Sequence, residues 1–245
     1  MARTRAAVLA AGLLCALTAR AATEPGTPVR ALVVADQETT LASQMSGRIL
    51  DLPRRPGDAA KQGETLVKFE CAEPKARVDM AKAELQAARL QHEAKLRLQG
   101  LKSASELDVE LAAAAVDKAR GQLALTQAEL ERCTITAPFA GRVAKWHVKP
   151  HQTLAAGQPI VDLVADGKLR LRLNVPSAWL AWLKPGYAFE VAIEETGVGY
   201  PLKLDRIHPR VDAVSQTVEV EAVFTGDTAG LLPGMSGSAR LARAP

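Results

Sequence analysis

Ser46-Gly47-Arg48-Ile49 recurs 94 positions later as Ala140-Gly141-Arg142-Val143, and the two stretches stay in step without a gap. Arg55-Pro56 falls on Lys149-Pro150, Gln62-Gly63-Glu64 on Ala156-Gly157-Gln158, and Leu66-Val67 on Ile160-Val161. Each copy reads as a glycine leading into a β-branched residue, a turn containing proline, a second glycine 16 residues after the first, and a short apolar strand. Glycines at fixed spacing suit turns that need positive φ. One copy, about 28 residues, cannot bury a sheet face alone. The copies at 44–71 and 133–165 are therefore predicted to pack on each other as one flattened sandwich.

The residues between the copies have another character. From Lys75 to Ala137 there is no proline, and Ala, Leu, Gln, Glu and Lys dominate, which is a helical composition. Met80, Ala83, Ala87, Leu90 and Ala94 step by three and four, as do Val109, Ala112, Val116, Ala119, Leu123, Thr126 and Leu130. These steps predict two heptad seams. Gly100 and Ser103-Ala104-Ser105-Glu106 separate them, and Ser103 with Glu106 reads as a capping box that starts the second helix. Pro74 suits the first turn of the first helix. Residues 72–132 thus read as an antiparallel helical hairpin inserted into the sandwich, each arm projecting about 40 Å.

Cys71 and Cys133 stand at the entry and exit of this hairpin, where antiparallel geometry brings chain ends together. The expectation is a disulfide at the hairpin base; the alternative is two unpaired buried thiols. Closing a loop of 62 residues contributes roughly 4 kcal/mol in the chain-entropy model.

Beyond residue 166 the pattern changes to alternation, as in Leu169-Arg170-Leu171-Arg172-Leu173-Asn174-Val175 and Thr217-Val218-Glu219-Val220-Glu221-Ala222-Val223. Half-buried strands alternate in this way, and glycines at 186, 197, 199, 226 and 234 mark turns between them. Residues 166–245 are predicted to form a small antiparallel β-barrel, to which the N-terminal segment 22–43 contributes a strand. The fold class is mainly β with an inserted α-helical hairpin.

At its start the chain carries Arg3 and Arg5, an apolar run from Ala6 to Ala19, and then Ala19-Arg20-Ala21. Residues 1–21 read as a cleaved secretory signal, since the run is shorter than the roughly 20 residues of a spanning helix. Cleavage takes three arginines and no acid from 31 basic and 27 acidic side chains, leaving 28 against 27. That near-neutral balance, with 4% aromatic residues, excludes a nucleic-acid surface. Cys15 leaves with the signal, and an even pair of cysteines remains for an oxidising compartment.

With these elements in place, the chain resembles the periplasmic adaptors, or membrane fusion proteins of the HlyD kind, that serve tripartite efflux systems. The resemblance covers nearly all of the chain after residue 21. Its most specific stretch is Leu130-Glu131-Arg132-Cys133-Thr134-Ile135-Thr136-Ala137-Pro138-Phe139-Ala140-Gly141-Arg142-Val143, supported by Gly57-Asp58 through Gly63 and by Leu232-Pro233-Gly234-Met235. It implies a split lipoyl-like sandwich and a periplasmic location beside the inner membrane. The implied partners are an inner-membrane transporter, RND type before ABC type, an outer-membrane channel, and further copies of the chain as a trimer or hexamer. At the hairpin tip the family shows an Arg, a Leu four residues later and a Ser seven after that. Here His92, Leu96 and Ser103 take those positions with Gly100 between them, and these four are the candidate partner-binding residues.

No catalytic constellation emerges from the residues, and no cofactor or metal ligand set is expected. Lipoyl and biotin carriers place a modified Lys in the turn between the sandwich halves, but here the hairpin replaces that turn. His147 and His151 flank Pro150 in a strand and turn and read as surface residues, and Gly234-Met235-Ser236-Gly237 lacks the spacing of a nucleophile elbow. Trp179 and Trp182 read as barrel packing. Two rival functions remain: an envelope protein that binds a metal or other ligand and presents it to a transporter, and a structural coiled-coil tether.

Overall fold

The computed structural model describes residues 28–242, so the predicted signal at 1–21 lies outside the described residues. Two compact units divide the chain, one built from the residues up to Val33 together with those from Leu171 onward, the other from Val34–Arg170. β1 (Pro28–Ala35) enters the barrel and β2 (Glu38–Ala42) the sandwich, parted by a bend at Asp36. Of the N-terminal segment expected to contribute a strand to the barrel, β1 lies in the barrel and β2 in the sandwich. Four of the eight residues of β1, Val29, Ala31, Val33 and Ala35, alternate inward, whereas β2 is exposed on one side and only half-buried on the other.

The sandwich continues with β3 (Gly47–Asp51), β4 (Ala59–Ala60) and β5 (Thr65–Phe69), then resumes after the helices with β6 (Thr134–Thr136), β7 (Gly141–Trp146), β8 (Thr153–Leu154) and β9 (Pro159–Ala165). β7, β8 and β9 begin 94 residues after β3, β4 and β5, so the sequence repeat is a structural one. The sheets run β2-β9-β7-β4 and β6-β5-β3-β8. Exchanging the copies converts one order into the other, which makes the sandwich two-fold symmetric in its connections. Single hydrogen bonds obey the same rule. Gly57 N–H donates to Val143 O and Val143 N–H to Asp58 O; in the other copy His151 N–H donates to Ile49 O and Ile49 N–H to Gln152 O.

Ile49, Leu66, Val67, Val143, Ile160, Val161 and Leu163 fill the space between the sheets. Each is fully enclosed, and burying such a side chain contributes about 2 kcal/mol. The paired glycines have two different reasons. Gly63 and Gly157 adopt φ of +79° and +86°, as turns require. Gly141 instead begins a strand, where any Cβ would run into the Val164 carbonyl oxygen; at Gly47 it would meet only Met45 Cε at 3.3 Å and Phe69 Cδ1 at 3.5 Å.

α1 (Ala72–Gly100) and α2 (Glu106–Glu131) pack on each other. They are antiparallel, because Arg77 meets Glu129 at 3.9 Å near one end and Lys95 meets Asp108 at 3.3 Å near the other. On α2 the expected seam holds, with Ala112, Val116 and Thr126 buried. On α1 it does not. Val78, Ala81 and Leu85 are buried, while Met80 and Leu90 from the expected seam are 65% and 53% exposed. The anchoring cysteines account for the choice: Val78 and Leu85 lie one and two heptads beyond Cys71, just as Thr126 lies one heptad before Cys133. The Cys71–Cys133 disulfide, with Cα atoms 6.1 Å apart, fixes the rotation of each helix at its base.

The barrel closes in the order β1-β10-β13-β12-β11-β14, with β10 (Leu169–Pro176), β11 (Ala188–Ile193), β12 (Gly199–Asp212), β13 (Thr217–Phe224) and β14 (Ser236–Arg240). Alternate residues point inward, among them Leu171, Leu173, Val175, Val191, Ile193, Leu202, Leu204, Val218 and Val220. Closure leaves no strand edge open to pair with another chain. Among the described residues no helix is long and apolar enough to cross a membrane.

Candidate functional site

The turn between the helices is built from both of its sides. α1 ends when Ser103 N–H donates to Leu98 O and Lys102 N–H donates to Gln99 O, both at 2.8 Å, with Lys102 in the left-handed region at φ +58°. This is a Schellman arrangement, with lysine where glycine usually stands. α2 starts at Ser105, whose Oγ accepts from Asp108 N–H at 3.1 Å while Asp108 Oδ2 accepts from Ser105 N–H at 3.0 Å. The expected capping box of Ser103 and Glu106 therefore sits two residues too early. Ser103 belongs to the end of α1, its Oγ donating to Leu101 O at 3.3 Å.

Asp108 holds the tip together electrostatically. The Ser105 hydroxyl and backbone N–H stabilise its charged form first, the Lys95 ammonium adds to them, and its pKa falls from 3.8 to about 2. The carboxylate also sits at the positive end of α2.

Of the four candidate tip residues, three share the exposed turn. Leu96 and Gly100 lie in the last turns of α1 and Ser103 follows them, all exposed to solvent. His92 is half-buried, three heptads from Cys71 along the inner seam, so it faces α2. Sequence reasoning missed the apolar character of the surroundings. Leu98, Leu101, Leu107 and Leu111 are exposed there together with Leu96. Spacing carried that signal, since Leu107 and Leu111 are four apart and outside the α2 seam.

At the other end of the hairpin, the last turn of α2 meets the sandwich. Ala128, Glu131 and Arg132 line a cleft with Thr40, Leu41 and Gln44 on one side and Thr134, Thr136 and Pro138 on the other.

The histidines weighed as metal ligands serve separate local purposes. His147 Nε2 lies 2.9 Å from Asp162 Oδ2. Burial opposes ionisation of Asp162, but the Thr40 hydroxyl and His147 outweigh it and lower its pKa. His151 occupies a turn at φ +65°, where the first copy has Gly57 at +91°.

A different trio, on the barrel, escaped sequence reasoning. His208 on β12 and Glu219 and Glu221 on β13 bring one ligand atom each to within 4.8 Å of one another. Only strand pairing makes them neighbours. Nδ1 and Nε2 of His208 lie 3.4 Å from Glu219 and Glu221, Arg172 stands 3.3 Å from Glu219, and Arg206 stands 3.5 Å from Glu221. Such a set could hold a divalent cation once the guanidinium groups moved aside.

No protein-family model matches the chain. The nodulation protein NolF of Rhizobium meliloti is 29% identical over 223 residues, covering 85% of this chain and 59% of NolF. The chain thus spans little more than half the length of that relative. Among solved structures, a chimera of MacA and MexA that carries the Pseudomonas aeruginosa MexA α-hairpin domain superposes with a TM-score of 0.81 at 20% identity, over 90% of this chain and 82% of the chimera. The membrane fusion protein Spr0693 of Streptococcus pneumoniae superposes with a TM-score of 0.77 at 19% identity, over 89% of this chain and all of the other. The fold is that of the membrane fusion, or periplasmic adaptor, proteins.

Proposed function

We propose that the chain is a periplasmic adaptor that joins an inner-membrane efflux transporter, of RND type before ABC type, to an outer-membrane channel. Several copies, three or six, stand side by side, sandwiches and barrels ringing the transporter while the hairpins form a tube. The tips, through Leu96, Gly100 and Ser103 with His92 behind them, meet the channel. The transporter supplies the energy and the chain a sealed path. One observation carries this reading: a disulfide-anchored pair of helices leaves a sandwich whose two halves it separates, and ends in a turn crowded with exposed leucines.

The test is deletion of residues 92–105 with a short glycine linker in their place. Efflux from cells carrying the variant is expected to be lost while the purified variant keeps the cooperative melting of its sandwich and barrel. Undiminished efflux would defeat the proposal.

The rival reading, a metal-presenting envelope protein, draws on His208, Glu219 and Glu221. Calorimetric titration with zinc separates the two, because tight binding abolished by His208→Ala favours the rival.

A further inference from the structure

The chain has nine aromatic side chains, and four of them lie between residues 179 and 189. They form a ladder at one end of the barrel. Trp179 and Trp182 have ring centroids 5.5 Å apart, Trp182 and Tyr187 5.7 Å, and Tyr187 and Phe189 6.2 Å. Phe189 and neighbouring Leu183 are buried in the barrel, whereas Trp179 and Leu180, on a 3-10 helix over Ser177–Ala181, and Trp182 just after it are only half-buried. The Trp146 indole donates to Arg54 O at 3.2 Å. Those of Trp179 and Trp182 donate to no atom of the described residues, and no described side-chain nitrogen or oxygen is both buried and unpartnered, so both are open to solvent.

A second apolar element stands at the same end. Ser177 N–H donates to Gln216 O at 2.9 Å, tying the 3-10 helix to the turn between β12 and β13. Val214, within that turn, is 96% exposed. It is held outward by design of the turn. Asp212 Oδ1 accepts from Val214 N–H at 2.9 Å, Ser215 N–H at 2.8 Å and Ser215 Oγ at 3.0 Å, which uses the one carboxylate of the turn internally.

Charge and chain path point the same way. Residues 176–189 contain no acid, and Lys184 within them, Arg210 beside the Val214 turn and Arg240 at the end of β14 are exposed. Pro28 pairs with Arg240, and the Tyr187 hydroxyl donates to Ala242 O. The start of β1 and the end of β14 therefore lie at this end.

Tryptophan and tyrosine combine an apolar body with a polar edge and favour the headgroup level of a bilayer, where lysine and arginine meet anionic lipids. We propose that this end of the barrel is a lipid-facing patch, resting Trp179, Trp182 and Val214 on an anionic phospholipid surface with Lys184, Arg210 and Arg240 against its headgroups. The patch lies within the barrel and owes nothing to the hairpin, so it stands or falls apart from the adaptor reading.

Full-length protein, purified in its exported form, is mixed with vesicles of phosphatidylethanolamine and phosphatidylglycerol, and binding is read by sedimentation and by indole fluorescence. The expected result is binding with a blue shift, weakened by high salt and by replacing the lipids with phosphatidylcholine. Trp179→Ser with Trp182→Ser, and separately Val214→Asp, should each weaken binding about tenfold, while Trp146→Phe leaves it unchanged. Val214→Asp touches a solvent-bathed position and should keep the wild-type melting temperature, so its loss of binding cannot come from unfolding. Absence of binding to the anionic vesicles, or equal binding by Val214→Asp, overturns the proposal. So does a patch that ignores vesicles yet is required to capture a transporter protein.

Discussion

The Lys95 ammonium stands 3.3 Å from the Asp108 carboxylate, so the last part of α1 is tied to the first turn of α2 across the hairpin. Asp108 has a folded pKa of about 2 against an ordinary 3.8. A depressed carboxylate pKa adds stability that is fully present above the unfolded value and disappears as pH falls through the folded one. The hairpin tip should therefore stay intact down to about pH 4 and loosen between there and about pH 2. Carboxyl NMR titration of Asp108 should show that low midpoint, and Asp108→Ala should remove the acid limb from the helical melting curve.

The two serines of the turn differ in what they cap. Ser105→Ala is expected to cost about 1 kcal/mol of stability, the usual loss for an N-cap, whereas Ser103→Ala should stay within about 0.5 kcal/mol. Urea unfolding followed by circular dichroism distinguishes them, and equal losses would return the cap to Ser103.

Symmetry-related glycines should tolerate a methyl group unequally. Gly141→Ala drives a Cβ into backbone at Val164 and should cost about 2–3 kcal/mol, while Gly47→Ala presses only on the mobile end of Met45 and should cost less than about 1 kcal/mol. Denaturant midpoints of the two variants provide the comparison.

Lys102 and His151 hold left-handed backbone that glycine adopts freely. Lys102→Gly and His151→Gly should each leave stability unchanged or raise it by up to about 1 kcal/mol, the relief of strain being partly offset by the entropy of glycine in the unfolded chain. A loss at His151 would mean that its side chain contributes more than the turn.

Cys71 and Cys133 close a loop of 62 residues. Replacing both with serine is expected to cost roughly 4 kcal/mol of stability, measured by urea unfolding under oxidising conditions, with the loss vanishing when the wild-type protein is reduced.

The sandwich was legible because its signals are local: a glycine, a turn and an apolar pair repeat at one spacing. The α1 seam was not legible by periodicity alone. An alanine-rich helix offers two acceptable stripes, and the more apolar one, through Met80 and Leu90, is the one left in solvent. Counting heptads outward from Cys71 selects Val78 and Leu85, so the deciding information lay in a covalent anchor outside the helix. His208, Glu219 and Glu221 were out of reach for another reason. Their proximity depends on the β12–β13 register, including its irregularity between Ile207 and Val211, which the sequence does not announce. The barrel ladder was visible only as two tryptophans near a turn, because their exposure depends on how the 3-10 helix seats on the strands.

Neither sheet of the sandwich can be assembled from one copy of the repeat, since β2 must wait for β9 and β5 for β6. During synthesis β3 and β5 can pair with each other, but β2 and the outer edge of β5 stay unpaired until the whole hairpin and the second copy have followed. Long-range pairing of this kind is slow and exposes the nascent chain to aggregation. A gene fragment ending anywhere before residue 134 would therefore lack the partner strand of both β2 and β5, and neither sheet could close.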